Sequence, residues 1–416
     1  MRYGKPLLLA AALALALSAT APGAAAQARP QEPATPACAW QPLGYRTSNV
    51  AYPDTHTQYW LLHYTKQDGL AITLEGRYPD ARYASFTSYD ARHDSFTGPD
   101  GSASVLADHG IAPDRGSDNP FEEPSRAGGK YTVTVTDEPT RRPNVLPLSP
   151  AQAPEGAAGT VIYRVYLPEG EVRLPKVTFH RDGRSTRVAA CADAQNAAAT
   201  PAPAGPGTTR GAAAAPAASP ARPLFARLPG SGLYPLPDNA YVAAGFDAPP
   251  AGQVLLVRGK APTATAHRGA QPWPDPNAQV RYWSMCNNLW FGPGEVVANP
   301  RPDGTVEPGC RADFDTRLAT DGTYTYVIGT EEQRAAIEGI PGVTFLPLSA
   351  KTPTARHLLI LRNMLASPGF AEAIQRVPAG SDPARTAETM GAYYPEATYC
   401  GLTALTASGP AACPTP

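Results

Sequence analysis

Gly129-Lys-Tyr-Thr-Val-Thr-Val135 and Gly322-Thr-Tyr-Thr-Tyr-Val-Ile328 are two forms of one stretch. In the first, Tyr131, Val133 and Val135 fall on one side and the threonines on the other. That period-two alternation predicts a half-buried strand, and the threonine side suits a solvated sheet face. The neighbours of the stretch recur too, in the same order and at a nearly constant offset. Tyr52-Pro53 matches Tyr234-Pro235, and Gly69-Leu-Ala-Ile-Thr-Leu-Glu-Gly76 matches Gly252-Gln-Val-Leu-Leu-Val-Arg-Gly259. Arg82-Tyr-Ala-Ser-Phe86 matches Arg281-Tyr-Trp-Ser-Met285, and the turn Pro99-Asp-Gly101 matches Pro302-Asp-Gly304. Leu146-Pro-Leu-Ser149 matches Leu346-Pro-Leu-Ser349, and Ile162-Tyr-Arg-Val-Tyr-Leu167 matches Ile360-Leu-Arg-Asn-Met-Leu365. A tandem repeat is expected, with copy one over 27–193 and copy two over 224–416.

Between the copies, residues 194–223 are almost only Ala, Pro, Gly and Thr. Such a segment has too little apolar surface to bury and reads as a linker. The chain holds 48 prolines and 37 glycines, which favours short strands and turns over long helices. The expected fold is mainly β: two tandem antiparallel β-sandwich or jelly-roll-like domains, with a few short helices in the second. Those helices are expected after Thr330, where Gln333 completes a capping box, from Ser367-Pro368 to about Arg376, and from Ser381 to before Gly391.

The N-terminus reads as a signal peptide over 1–26. Arg2 and Lys5 precede a Leu/Ala run from Leu7 to Leu17, and Ala24 and Ala26 suit a cut before Gln27. The run is too short for a permanent membrane helix, and no other stretch is long enough to be one. A secreted, periplasmic or cell-envelope protein is therefore expected. The six cysteines suit that compartment. The pairings Cys38–Cys191, Cys286–Cys310 and Cys400–Cys413 each close a loop inside one copy. A formal net charge of −1 without clustered basic residues argues against a nucleic-acid partner.

Arg281-Tyr-Trp-Ser284, Gly322-Thr-Tyr-Thr325, Thr344-Phe-Leu-Pro347 and Leu361-Arg362 together resemble the domain of unknown function 1214, often found beside its partner family 1254. Copy one departs from that pattern at Ala84, where copy two has Trp283. The resemblance implies an exported β-rich fold and no particular chemistry.

No nucleophile elbow, P-loop, dinucleotide fingerprint or metal-binding histidine spacing occurs, so neither a cofactor nor a metal is expected. Arg164 and Arg362 lie mid-strand and read as structural guanidiniums that snorkel or pair with a carboxylate such as Asp90, the competing reading being a fork for a bound anion; the same reading covers Arg82 and Arg281. What differs between the copies is the better guide to function. An insertion at 263–278 of copy two carries His267, Arg268 and Trp273, and Trp283 and Trp290 follow. These five are the candidate ligand contacts, since aromatics on loops stack on sugar rings or apolar chains. The expected function is non-catalytic binding of a cell-envelope or extracellular ligand such as a glycan or lipid. The competing expectation is a secreted hydrolase with an acidic and histidine site between the domains.

Overall fold

The computed structural model describes residues 35–138, 140, 142–196, 222–229, 233–266 and 268–414. The expected signal peptide, residues 197–221 of the expected linker and His267 lie outside them. The first half supplies β1 (Gln41–Leu43), β2 (Thr57–Thr65), β3 (Ala71–Arg77), β4 (Ala81–Tyr89), β5 (Val105–Ala107), β6 (Lys130–Thr136), β7 (Val145–Leu146), β8 (Ala158–Pro168), β9 (Lys176–Arg181) and β10 (Arg184–Val188). The second supplies β11 (Ala226–Arg227), β12 (Asn239–Phe246), β13 (Gln253–Lys260), β14 (Val280–Leu289), β15 (Ala298–Pro300), β16 (Val306–Pro308), β17 (Cys310–Ala312), β18 (Thr323–Gly329), β19 (Val343–Pro347), β20 (His357–Ala366) and β21 (Glu396–Gly401). Three helices accompany them: α1 (Arg334–Glu338), α2 (Pro383–Met390) and α3 (Leu402–Ser408).

Each half is a β-sandwich, and the strand orders agree. One sheet runs β1-β2-β8-β4-β5 in the first half and β11-β12-β20-β14-β17 in the second. The facing sheets run β10-β9-β3-β6-β7 and β21-β13-β18-β19. Pairing is antiparallel except at β6–β7 and β18–β19, the same place in both halves. Leu62, Val161, Ile72 and Val133 share one core, and Val242, Leu359, Leu255 and Tyr326 share another. In-strand glycines have a reason here. Gly76 pairs with Tyr131 and Gly259 with Tyr324, and at each the tyrosine ring crosses the strand. A Cβ would sit 2.4 Å from the Tyr131 ring at Gly76 and 2.7 Å from the Tyr324 ring at Gly259, so only glycine leaves room.

The sheets containing β4 and β14 lie back to back across the halves. Tyr83, Tyr166, Tyr282 and Met364 fill that seam. Both strands are therefore buried along their whole length. One face of each meets its own core and the other meets the opposite sandwich.

Several local expectations need correcting. The threonine face of β6 is not solvated throughout: Thr134 and Thr136 are buried, and the Thr136 hydroxyl donates to the Leu70 carbonyl at 3.4 Å. Ser367-Pro368 opens only a turn; a single 3-10 turn follows at Ile374–Arg376. The cap of α2 is Asp382, whose carboxylate accepts from the Arg385 amide, because Pro383 fixes the first helical position one residue later than expected. The capping box at Thr330 is present, with its amide 2.9 Å from Gln333 Oε1. The disulfides are Cys38–Cys191, Cys286–Cys310 and Cys400–Cys413, each within one half.

Candidate functional site

The buried arginines hold the halves together rather than facing a ligand. Arg281 grips Asp108 of the other half with two bonds, of 2.7 and 2.9 Å. Arg82 reaches back to Asp313 at 3.0 Å. The Arg281 Nε donates to the Arg82 carbonyl at 2.9 Å, and Arg82 Nη1 to the Arg281 carbonyl at 3.3 Å. Each aspartate also accepts a backbone amide of its own sandwich, Ala84 for Asp108 and Trp283 for Asp313. A second swapped set lies beyond. Arg164 donates to the Tyr234 carbonyl at 2.9 Å, and Arg362 to the Tyr52 carbonyl at 2.6 Å. Both acceptors stand in the left-handed region, Tyr52 at φ 52° and Tyr234 at φ 58°. The exchange repeats itself as a two-fold axis would require, the isologous arrangement of a symmetric dimer within one chain. Asp90, expected as the partner of Arg164 or Arg362, instead binds Arg92 at the surface.

At one end of the seam His56 lies between two carboxylates. Its Nδ1 is 3.3 Å from Asp54 and its Nε2 is 2.7 Å from Asp315 of the second half. Asp54 is buried and also accepts from Tyr282 Oη at 2.9 Å and Ser284 Oγ at 2.7 Å. Burial works to raise the Asp54 carboxyl, but His56, Arg362 and Ser284 outweigh it and hold it well below the usual range. Burial also opposes charge on His56, yet Asp315 and Asp54 outweigh it and raise the imidazole to about 9. A base for hydrolysis should titrate near the working pH and touch its nucleophile. His56 stays protonated at neutral pH, and Ser284 bonds to Asp54 instead. The cluster acts as a strut. Asp54 also lies beside Cys286 and Cys310, but their sulfurs are joined in a disulfide and offer no thiolate to a metal.

The raised His56 value sets a pH dependence. A pKa above the unfolded value gives stability that is complete below about pH 6.5 and is lost as pH rises towards 9. The wild type should lose about 3 kcal/mol more than His56→Gln over that interval, a shift of roughly 2.5 units at about 1.4 kcal/mol each. Urea unfolding of both proteins at pH 6.5 and 9 measures it. Parallel losses in the two would remove the strut.

The aromatic candidates do not converge. Trp283 is in the core of the second sandwich, 1% exposed, with its ring 5.7 Å from that of Tyr324. β14 is covered on both faces, so a ligand cannot reach it. Trp273 is buried against the first half, where its amide donates to the Phe121 carbonyl at 2.9 Å. Arg268 pairs with Glu169 of the first half at 3.3 Å and stacks on Phe314. Ala270 donates to Asp80 at 2.9 Å. The insertion thus clasps the other sandwich. Trp290 is apart from both, half-buried beneath Arg356.

The second sandwich instead carries a cleft that no sequence motif announced. It has a volume of about 350 Å³ and is lined by Arg301, Glu307, Arg311, Asp315 and Arg334. A smaller one beside it shares Arg311 and Asp315 and adds Arg317 and Glu338. Arg301 follows β15, Arg311 lies on β17 and Arg334 opens α1. All three guanidiniums bond the buried Glu307 carboxylate. Burial works to raise Glu307, but Arg311 and Arg334 outweigh it and hold it below the usual range. Among the described residues the first sandwich has no matching arginine cluster. The matching turn gives Gly98 for Arg301, and the matching strand register gives Leu106 for Arg311. Four residues past Asp108, Ala112 stands where Arg317 stands four past Asp313.

No family profile matches this sequence, and no curated protein does. Among solved structures, the fold is similar to that of an uncharacterised protein from Burkholderia cenocepacia, with a TM-score of 0.51 at 11% identity over 89% of this chain and 84% of that one. A structural-genomics target from Vibrio parahaemolyticus aligns with a TM-score of 0.38 at 12% identity over 86% of this chain and 92% of that one. The first of these shows a shared fold and nothing about activity.

Proposed function

We propose that this is an exported, non-catalytic binding protein whose ligand site is the arginine-lined cleft of the second sandwich. The observation that carries the reading is asymmetry on a common scaffold. Two sandwiches with one strand order read as copies of one domain, the second of which has gained a cleft. The seam residues serve both halves alike, whereas Arg301, Arg311 and Arg317 have no counterparts in the first. About 350 Å³ is within the range of small-ligand pockets. Disulfides persist in oxidising compartments, and three of them support export. Among the described residues no helix is long and apolar enough to cross a membrane. The ligand belongs to the envelope or the extracellular space, a glycan or a lipid head being the classes that suit the compartment. Kinship with the domain of unknown function 1214 is part of the proposal and adds no chemistry to it.

The hydrolase alternative draws on His56, Asp54 and Asp315, which do meet between the halves. Both imidazole nitrogens are taken up by carboxylates, so the proposal keeps them as a strut. A thermal-shift screen of the mature protein against glycans, lipid headgroups and anions tests the reading. A true ligand at one hundred times its Kd should stabilise the native state by about 2.7 kcal/mol. Hydrolysis of any screened compound would favour the enzyme instead.

A further inference from the structure

We propose that the cleft, read above as the ligand site, takes an oxyanion of the phosphate class: inorganic phosphate or a phosphate monoester on a larger molecule. The inference rests on that reading and adds the ligand's chemistry. Arg301 and Arg311 have one carboxylate between them, Glu307, and no other within 4 Å among the described residues. Arg334 draws on Glu307 as well, but is also met by Glu331 at 2.7 Å and Glu338 at 2.9 Å. Arg317 donates only to carbonyls, those of Glu338 at 3.1 Å and Val343 at 3.3 Å. The other acid at the rim, Asp315, is matched by His56. Arg301 and Arg311 therefore depend on one buried carboxylate that Arg334 also uses, and Arg317 has none, so the walls hold surplus positive charge.

Geometry points the same way. The forks come from different segments: the turn after β15, strand β17, and the chain between β17 and β18. Glu307 takes a single Nη2 from each of Arg301, Arg311 and Arg334 and completes no fork, while Arg311 Nη1 turns to the Pro308 and Cys310 carbonyls. A tetrahedral dianion offers acceptors in several directions and balances more than one guanidinium. Arg301 keeps 38% of its side chain exposed, so a ligand can reach it from solvent.

Isothermal titration of the mature protein with inorganic phosphate tests the chemistry. Vesicles of phosphatidylcholine with and without phosphatidic acid provide the headgroup arm. Phosphate, or the phosphatidic acid vesicle, should bind the wild type, and more weakly as sodium chloride is raised. Arg301→Gln should weaken that binding at least about tenfold, the loss of one charge-assisted bond. Arg317→Gln should weaken it too, and Arg268→Gln, on the clasp, should not. Arg301 is part-exposed, so an unchanged melting temperature shows that the variant folds. Binding to phosphate alone marks a small soluble ligand, and binding to the vesicle alone marks a lipid head; either supports the class. No binding in either arm, or equal binding by Arg301→Gln, overturns it. The two readings fail separately. A neutral saccharide that binds, and is weakened by Arg301→Gln, sinks the phosphate class and keeps the cleft. A ligand indifferent to both Arg301→Gln and Arg317→Gln sinks the cleft as well.

Discussion

Serine at both Cys38 and Cys191 is expected to remove about 5 kcal/mol of unfolding free energy. The bond spans 153 residues, the longest loop closed in this chain. In the chain-entropy account its effect lies in the unfolded state, where it forbids the widest separation of ends. The folded state is arranged to receive it. The Ala39 amide donates to the Ala189 carbonyl at 2.8 Å, and the Cys191 amide to the Ala39 carbonyl at 2.7 Å. Trp40 fastens the same segment through its indole to the Pro175 carbonyl at 2.7 Å. Removing Cys400–Cys413, which spans 13 residues, should take away about 3 kcal/mol. Urea unfolding of the two double-serine variants ranks them. A larger loss from the short loop would show that local packing, not chain entropy, sets the order.

Arg281→Ala is expected to destabilise the protein by about 3–5 kcal/mol. The substitution deletes both bonds to Asp108 and leaves that carboxylate buried, 1% exposed, with backbone amides and the His109 imidazole 3.4 Å away. An uncompensated buried charge is the main penalty. The guanidinium also lies over the rings of Tyr83 and Phe121, so its removal opens a void at the seam. Arg82→Ala removes one bond to Asp313, against the two from Arg281 to Asp108, together with the longer one to the Arg281 carbonyl, and should lose less. In a double-mutant cycle, Arg281→Ala and Asp108→Asn should couple by roughly 1–3 kcal/mol. Arg281→Ala within about 1 kcal/mol of wild type would mean that the Arg281–Asp108 pair does little to hold the halves together.

The legible parts of the fold are those fixed by local chemistry. Alternation in Tyr131 to Val135, the Pro-Asp-Gly turns and the cysteine positions all report on their own neighbourhoods. The helices after Ser367 and Ser381 were less legible, because proline and polar caps suit turns as well as helices. The seam was out of reach for a different reason. Arg281 and Asp108 are separated by 173 residues, and nothing in either segment names the other. Arginines repeated in both halves did indicate scaffold, and that logic holds for the swapped pairs.

The candidate site followed the opposite course. Tryptophans drew attention because large aromatics bind ligands, but Trp283 fills a core and Trp273 closes a clasp. The signal that could have found the cleft was present in the same alignment. Arg301, Arg311 and Arg317 stand where the other half has Gly98, Leu106 and Ala112. Charged residues present in one half and absent from the matching places of the other point to a surface under separate demand. Each is ordinary alone, and only the pairing of β14 with β17 and the turn beyond β15 brings them to Glu307.

Amide hydrogen exchange on the protein, with and without a ligand found by the thermal-shift screen, tests the central claim most directly. The account predicts slower exchange in residues 298–318 and 331–338, which carry Arg301, Glu307, Arg311, Arg317 and Arg334. Protection confined to the first sandwich, or to the 263–278 clasp, would contradict it.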